Sequence, residues 1–221
     1  MRRPLFEKGL DIILPSNNMV SILKKIVSDN YTPINTITTG RDAFGIVGKG
    51  IENRSSVLPF EGSVNLQCAY EEIRYYDKSL VVKNRKIMES YKIFTSKGNG
   101  GAGLLTDGKP VAIIGKAFVA GPDSVCTDSM IPFGCFDNII QAKNLQKYFC
   151  TKFLRFLVGV LKVSQNLYQN VYQFVPLQDF TSSSDIDWSK SISDIDRQLY
   201  SKYGLSDDEI AFIEKMIKPM E

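Results

Sequence analysis

The sequence predicts an α+β fold, with mixed α/β character, that contains a twisted and mostly antiparallel sheet, a long central helix and two short C-terminal helices. Three observations support this fold class. Residues 32–105 hold short segments rich in β-branched and aromatic residues, separated by Gly, Pro and Asn. Residues 141–165 repeat apolar side chains at helical spacing. Two serine-led helix starts follow residue 190.

The first predicted helix covers residues 17–28. Its apolar residues recur three and four positions apart, which places them on one face, and Asn17 or Asn18 is available as the N-cap. A turn signal, TDGKP at residues 106–110, separates two of the strands that follow. The predicted strands cover residues 44–47, 63–69, 80–82, 91–95, 111–114 and 124–130.

The long helix is predicted over residues 141–165, because its apolar side chains share one broad face at about 100° per residue. On the opposite side gather the basic residues Lys143, Lys147, Arg155 and Lys162, where apolar residues interrupt them. We therefore expect two neighbouring elements to cover much of this helix. Two interpretations stay open: a functional basic face, or a core helix whose basic side chains extend to solvent.

The C-terminal part of the chain is predicted to be helical and acidic. A polar run at residues 181–187 is the best internal boundary, and Gly204 stands where the first of two short helices should end. Two pairs have capping spacing, Ser193 with Asp196 and Ser206 with Glu209. We expect an α/β body over residues 1–180, with a basic hairpin region and the long helix, and an acidic helical cap over residues 181–221.

Charge is unevenly distributed along the 221 residues. The net charge is +3, but residues 1–178 carry 22 basic and 14 acidic side chains, whereas residues 179–221 carry 5 and 10. This asymmetry favours a basic working body with an acidic end, although chance clustering of solvated charges gives the same pattern. The sequence has no histidine, which excludes Ser-His and Cys-His nucleophile pairs. Any catalysis would depend on carboxylates, lysine or tyrosine.

The cysteines and the apolar runs indicate the compartment. The four cysteines form no Cys-x-x-Cys pair, so we expect buried free thiols rather than a zinc or redox site. Neither a secretory signal nor an apolar run of the roughly 20 residues that a membrane span needs is visible. A cytoplasmic protein without a membrane partner is expected.

Gly98, Gly100 and Gly103 have the Gly-x-Gly-x-x-Gly spacing of a dinucleotide-binding loop. Such a loop must open a helix, whose N-terminus holds the pyrophosphate, but here a tight turn at residues 107–110 follows. A dinucleotide cofactor is therefore not expected. Glycine backbone can still approach a bulky anion closely and present amide groups to it.

Residues 74–97 carry seven Lys and Arg residues against two acidic residues, and tyrosines at 75, 76 and 91 lie among them. Basic side chains, aromatic rings and a glycine-rich tip together are typical of contact with a nucleic-acid backbone. A solvated hairpin with a mobile tip is the alternative interpretation.

A search for catalytic motifs gives one partial match. Asp107-Gly108-Lys109 has the Asp/Glu-x-Lys pattern of a metal-dependent nuclease, but the chain's Pro-Asp pair, at 122–123, follows it instead of preceding it. The tripeptide also lies in a predicted tight turn, which favours a structural role. The sequence has no Walker-type phosphate loop. It also has no adjacent prolines, so the Asn/Asp-Pro-Pro-aromatic motif with which adenine-amino methyltransferases hold the target base is missing. The chain therefore contains no complete catalytic motif.

Four stretches carry a resemblance to a known family. They are Ala43-Phe44-Gly45, then YKIF at 91–94 leading into Lys97-Gly98-Asn99-Gly100, then residues 147–180, and finally LYSKYGLSDDEIAFIEKMIKP at 199–219. In these stretches the chain resembles the C-terminal target-recognition domain of bacterial restriction–modification enzymes with adenine-specific DNA methyltransferase homology.

The resemblance implies a domain that recognises the target sequence in double-stranded DNA and is non-catalytic by itself. A methyltransferase domain, in cis or in trans, would be its partner. S-adenosylmethionine, and magnesium where the parent enzyme is also an endonuclease, would bind to other domains of that enzyme. Loops and strands, rather than a recognition helix, would read the major groove.

Basic residues are the predicted DNA contacts, because phosphate neutralisation supplies affinity and paired hydrogen bonds to base edges supply specificity. Arg41 precedes a Phe-Gly turn and could present its guanidinium to guanine, or it could be an ordinary surface arginine. The candidate DNA-binding residues are Arg41, Arg74, Lys83, Arg85, Lys86, Lys92, Lys97, Gly98, Asn99, Lys152 and Arg155. Two alternatives stay open: a structural domain that docks a methyltransferase or nuclease partner, and a metal-dependent nuclease fragment that uses Asp107 and Lys109.

Overall fold

The computed structural model describes residues 12–28, 31–69, 72–98 and 109–220. Within these ranges the chain forms six α-helices and two three-stranded sheets, so the predicted α+β class is confirmed. The helices are α1 (Asn17–Ile26), α2 (Arg85–Met88), α3 (Ile139–Cys150), α4 (Lys152–Leu161), α5 (Ile192–Lys202) and α6 (Asp207–Met216). The strands are β1 (Ser63–Gln67), β2 (Ile73–Asp77), β3 (Tyr91–Ser96), β4 (Phe118–Ala120), β5 (Ser124–Cys126) and β6 (Met130–Phe136).

The helix ends follow from local side-chain chemistry. The hydroxyl of Ser16, rather than Asn17 or Asn18, caps α1 by accepting from the Met19 amide. Ser191 caps α5, two residues before the predicted start. The predicted capping box of Ser206 and Glu209 opens α6. The left-handed turn between these two helices is at the predicted glycine, Gly204, which has a φ of 59°.

The strands form two sheets instead of the predicted single one. The first sheet has the order β2-β1-β5, with β2 antiparallel and β5 parallel to β1. The second has the order β4-β3-β6 and is antiparallel throughout. The predicted strands at 44–47, 80–82 and 111–114 are turns and irregular chain, apart from a single bridge between Val111 and Ile217.

The predicted basic hairpin over residues 74–97 is wrong. Its first part is β2 and its last part is β3, and these strands belong to different sheets. Between them the chain forms a 3₁₀ turn at Lys78–Leu80 and the short helix α2. The basic residues of this segment are therefore distributed over several elements rather than along one ribbon.

The second sheet separates two apolar clusters because successive side chains of a strand point to opposite faces. Ile93 on β3 faces a large cluster with Ile131 and Phe133, which the helices α1 and α3–α6 cover. Phe94, the next residue, faces a smaller cluster that includes Val64 and Leu66 of the first sheet. The smaller cluster thus joins the two sheets, and the larger one joins the second sheet to the helices.

The predicted long helix is interrupted at Thr151. This residue has φ −67° and ψ 146°, so it ends α3 and caps α4 by accepting from the Leu154 amide. The other free amides at the start of α4, those of Lys152 and Phe153, donate to the carboxylate of Asp196 on α5. The break is stable because partners elsewhere in the fold satisfy the helix end.

The C-terminal helices share the large cluster with the rest of the chain. Ile195 and Leu199 of α5 and Ile213 of α6 are fully buried in it. Glu209 of α6 accepts hydrogen bonds from Ser21 and Lys25 of α1. Among the described helices, none has the length and apolar character needed to cross a membrane.

Candidate nucleic-acid interface

Two predicted DNA contacts that are distant in sequence, Arg41 and Lys97, meet at one carboxylate. Lys97 Nζ donates to Asp128 Oδ2 at 3.1 Å, and Arg41 Nη2 lies 3.4 Å from the same oxygen. The other oxygen, Oδ1, accepts from the Gly48 amide at 2.9 Å. We call the group formed by Arg41, Gly48, Lys97 and Asp128 the Asp128 junction.

Backbone hydrogen bonds fix the position of this junction. Asp128 lies in the three-residue connection between β5 and β6, and its amide donates to the carbonyl of Ile46 at 2.9 Å. The next carbonyl, that of Ser129, accepts from the Lys97 amide at 2.9 Å. Main chain and side chain of the connection therefore hold both the loop that carries Arg41 and Lys97, the residue that follows β3.

The electrostatics of the junction favour an ionised Asp128. Partial burial of the carboxylate opposes ionisation, but the Gly48 amide and the Lys97 ammonium outweigh it, and the pKa of Asp128 lies below its usual value. The side chain of Arg41 is 47% exposed and that of Lys97 is 32% exposed. The junction therefore holds two accessible cations in position without withdrawing them from solvent.

Further basic side chains surround the loop that carries Arg41. Lys83 Nζ lies 3.2 Å from Asp42, and the side-chain Nδ2 group of Asn84 donates to the Ala43 carbonyl, so the start of α2 is bound to this loop. Arg54 donates to the carbonyls of Val47 and Lys49 from the other side. The basic loop surface consists of Arg41, Lys49, Arg54, Lys83 and Lys97, together with Arg85 and Lys86, which are exposed on α2. The carboxylates of Asp42 and Asp128 pair with side chains of this surface, and Glu52, between Lys49 and Arg54, is exposed as well.

A polar cleft of about 510 Å³ opens beside Arg41. Side chains with amide groups and one exposed aromatic ring form most of its wall. The lining residues are Asn35, Thr39, Gly40, Arg41, Tyr168, Gln169, Asn170 and Gln173. The end of β3 lies near the same wall, since Gly98 forms a β-bridge with Asn166 and the Leu167 amide donates to the Lys97 carbonyl at 2.7 Å.

Lys92 and Arg155 are buried, so their assignment as DNA contacts is wrong. Lys92 is 0% exposed, and its ammonium donates to the carbonyls of Met88, Ser90 and Gly121. Arg155 is also 0% exposed. Its guanidinium donates to the carbonyls of Cys150, Thr151 and Lys218, and so satisfies the C-terminal end of α3.

Arg74 and Lys152 have structural partners as well. Arg74 is on β2 with only 11% of its side chain exposed, and it donates to the hydroxyl and carbonyl of Ser55. Lys152, at the start of α4, is 16% exposed and pairs with Glu214 of α6. Both residues connect neighbouring elements, and neither belongs to the basic loop surface.

Two candidate site residues lie outside the described ranges: Asn99, proposed as a DNA contact, and Asp107, the carboxylate of the nuclease alternative. Gly100 and Gly103 of the glycine motif and residues 106–108 of the predicted turn lie outside them as well. In the parts of the chain that the structure describes, no group of three or more Cys, Asp or Glu side chains is arranged to hold a metal ion.

Three of the free thiols, Cys68, Cys126 and Cys150, are buried as expected, whereas Cys135 is exposed.

Sequence reasoning missed two parts of the site. Asp128, which joins Arg41 to Lys97, gives no local signal, because its role depends on contacts with distant segments. The other part is the segment YQNVYQ at 168–173, which lines the polar cleft. Its density of amide and tyrosine side chains is a visible signal, since these groups make hydrogen bonds and stacking contacts with bases.

The chain was compared with protein-family models, curated proteins and solved structures, and it matches none of them. Its resemblance to target-recognition domains therefore stays a prediction from the sequence.

Proposed function

We propose that this chain recognises a target sequence in double-stranded DNA as the specificity domain of a restriction–modification enzyme, and that it is non-catalytic by itself. A methyltransferase domain, in cis or in trans, would bind S-adenosylmethionine and carry out the chemistry. The observation that carries the proposal is the meeting of Arg41 and Lys97 at Asp128, next to a cleft lined by amides.

The basic loop surface supports contact with the DNA backbone. Lysine and arginine side chains that neutralise phosphates release counterions, and this supplies most of the non-specific affinity for duplex DNA. Lys97 and Lys83 are each paired with a carboxylate at 3.1 and 3.2 Å. The Lys83–Asp42 pair is exposed and therefore weak, so a phosphate can replace that carboxylate at little cost.

The polar cleft supports the reading of bases. Arginine, asparagine and glutamine are the side chains that form paired hydrogen bonds with base edges in the major groove. All three types line this cleft, and Tyr168, which is 45% exposed, adds an aromatic face. The side chains proposed to bind phosphate are thus adjacent to those proposed to read bases. Contacts with the DNA backbone would therefore set the position of the base-reading side chains in the groove.

Fluorescence anisotropy with a labelled random-sequence duplex tests the proposal. We expect binding at about 50 mM salt that weakens steeply towards 200 mM, because counterion release dominates the affinity. In the double variant Lys83→Ala/Lys97→Ala, the slope of log Kobs against log salt should fall by about 0.9 for each lost phosphate contact.

The double variant Lys190→Ala/Arg197→Ala is the matched control. It removes two exposed basic residues that also pair with aspartates, Asp187 and Asp194, but that lie outside the basic loop surface. Its slope should equal that of the unmodified protein. Absence of duplex binding at low salt, or an equal loss in both double variants, would contradict the proposed interface.

Docking of a methyltransferase or nuclease partner is a second candidate function. It is favoured by large apolar side chains that stay exposed between residues 57 and 82. These are Val57, Leu58, Phe60, Ile73, Leu80 and Val82. Exposed apolar surface of this kind is typical of protein interfaces. If docking is the whole function, the anisotropy experiment gives no duplex binding at any salt concentration.

A further inference from the structure

The amide of Gln169 has a fixed orientation at the wall of the polar cleft. Its Nε2 group donates to the carbonyl of Asn35 at 2.9 Å and to the carbonyl of Thr38 at 3.2 Å. A primary amide has two protons, and both are used here. The opposite orientation would set the amide oxygen against two carbonyl oxygens, so hydrogen bonding determines which end faces the cleft.

The free end of Gln169 is therefore a hydrogen-bond acceptor. A β-carbon placed on Gly40 would lie 3.6 Å from Gln169 Oε1, so this oxygen is next to the backbone of the residue that precedes Arg41. Among the described residues, no side chain or amide donates to it. Arg41, in contrast, offers only donors. One wall of the cleft thus carries a fixed acceptor, and Arg41, which lines the same cleft and has a side chain that is 47% exposed, carries donors.

We propose that Arg41 and Gln169 together read one G·C base pair in the major groove. The guanidinium of Arg41 donates to O6 and N7 of guanine, and Gln169 Oε1 accepts from the N4 amino group of the paired cytosine. This assignment rests on the proposed function. It adds which residues select a base pair and which pair they select.

The other base pairs fit this arrangement less well. In the major groove guanine presents two acceptors, and cytosine presents its donor directly beside them. A T·A pair also presents an acceptor beside a donor, but the thymine methyl group stands where guanine has N7, so Arg41 keeps one of two hydrogen bonds. In the A·T orientation the adenine amino group faces the donors of Arg41, and thymine O4 faces the acceptor of Gln169.

Selection of bound duplexes from a library with a randomised centre, using the full chain, gives the sites for the test. We expect the selected sites to contain an invariant G·C pair. At that pair, 7-deazaguanine removes N7, and N4-methylcytosine replaces the amino proton that faces the major groove with a methyl group. Each analogue should lower the affinity of the unmodified protein roughly tenfold or more.

Two variants connect the analogues to the residues. The affinity of Arg41→Ala should no longer depend on 7-deazaguanine, because this variant has already lost the hydrogen bond to guanine N7. The affinity of Gln169→Met should no longer depend on N4-methylcytosine, because this variant has already lost the hydrogen bond from the cytosine amino group. Arg197→Ala and Gln165→Met are the matched controls, since both residues are exposed and neither lines the cleft. The analogue measurements on the unmodified protein do not depend on how well any variant folds.

The outcomes separate this assignment from the proposed function. If the protein binds no duplex at low salt, both fail. If it selects sites without an invariant G·C pair, or if both analogue effects persist in the two variants, DNA recognition stands and the roles of Arg41 and Gln169 are overturned.

Discussion

Lys92 is a charged residue in a place that normally excludes charge. Its ammonium is fully buried on β3, where it donates to three carbonyls from the end of α2 and from the turn after β4. Burial lowers the pKa of Lys92 from 10.5 to about 7. The three hydrogen bonds join α2, β3 and the β4–β5 turn, so this lysine is a structural residue.

The lowered pKa predicts a specific dependence of stability on pH. Between pH 7 and 10.5 the unfolded chain keeps the Lys92 proton while the folded chain loses it. The free energy of unfolding therefore rises with pH across this window, by at most about 1.4 kcal/mol per pH unit from this group. Urea unfolding at about pH 7 and about pH 8 measures the rise, and because unfolded thiols begin to ionise by pH 8, comparison with a variant isolates the Lys92 contribution.

In Lys92→Met this contribution should disappear, and the difference between the two pH values should become smaller. Lys86→Met is the control, because Lys86 is an exposed lysine of α2. An unchanged pH difference in Lys92→Met would show that the buried ammonium does not titrate in this window.

Sequence reasoning misplaced Lys92 for a physical reason. A lysine between tyrosines in a basic segment is typical of a solvated surface, and the three acceptor carbonyls become neighbours only after the strands pair. Arg41 and Lys97 are each predicted as DNA contacts from the residues next to them in the sequence. Their meeting at Asp128 could not be predicted, because it depends on three segments that are distant in the chain.

At the scale of elements, the break between α3 and α4 is stabilised by two buried charges. Arg155 donates to the last carbonyls of α3, and Asp196 accepts from the first amides of α4. The helix dipole favours a positive charge at a C-terminal end, where Arg155 lies, and a negative charge at an N-terminal end, where Asp196 lies. Burial of Asp196 raises its pKa to about 6, although the two amides oppose this effect.

Removal of the Asp196 carboxylate should destabilise the fold. In Asp196→Ala the amides of Lys152 and Phe153 lose their acceptor in a dry environment, which we expect to cost roughly 2 kcal/mol. Chemical denaturation measures this change at constant pH. Asp137→Ala removes an exposed carboxylate and should stay within about 0.5 kcal/mol of the unmodified protein. Equal stability of the two variants would contradict this role of Asp196.

The elements that the sequence predicted correctly have local causes. The helix α1 follows from the spacing of its apolar residues, and α6 follows from the Ser206–Glu209 capping box. The interruption at Thr151 has partly tertiary causes, because Asp196 and Arg155 stabilise it through contacts with α5 and the C-terminal end. A continuous apolar pattern over residues 141–165 therefore predicted one helix where two exist.

At the scale of the whole molecule, the predicted cap over residues 181–221 contributes to the central core. Trp188, Ile195 and Ile213 lie in the same cluster as the helices α1, α3 and α4. Val111 and Ile217 form a β-bridge that connects the last residues to the middle of the chain. This packing leads us to expect a single cooperative unfolding transition.

A fragment of residues 1–180 tests this expectation. It would expose the apolar faces that α5 and α6 cover, so we expect no cooperative thermal transition by circular dichroism at concentrations where the full chain shows one. A control chain that lacks only residues 219–221 should unfold like the full chain. A cooperative transition in the 1–180 fragment would show instead that the last segment is a separable unit.

The connection between β5 and β6 has a mechanical consequence. Three residues, Thr127, Asp128 and Ser129, connect β5 of the first sheet to β6 of the second, and Asp128 pairs with both Arg41 and Lys97. A change in the angle between the two sheets would displace Asp128 and change the spacing of the two cations. If the chain binds DNA as proposed, substitutions in the small apolar cluster between the sheets would therefore alter which DNA geometry fits the two cations, although no residue of the cluster is itself a proposed DNA contact.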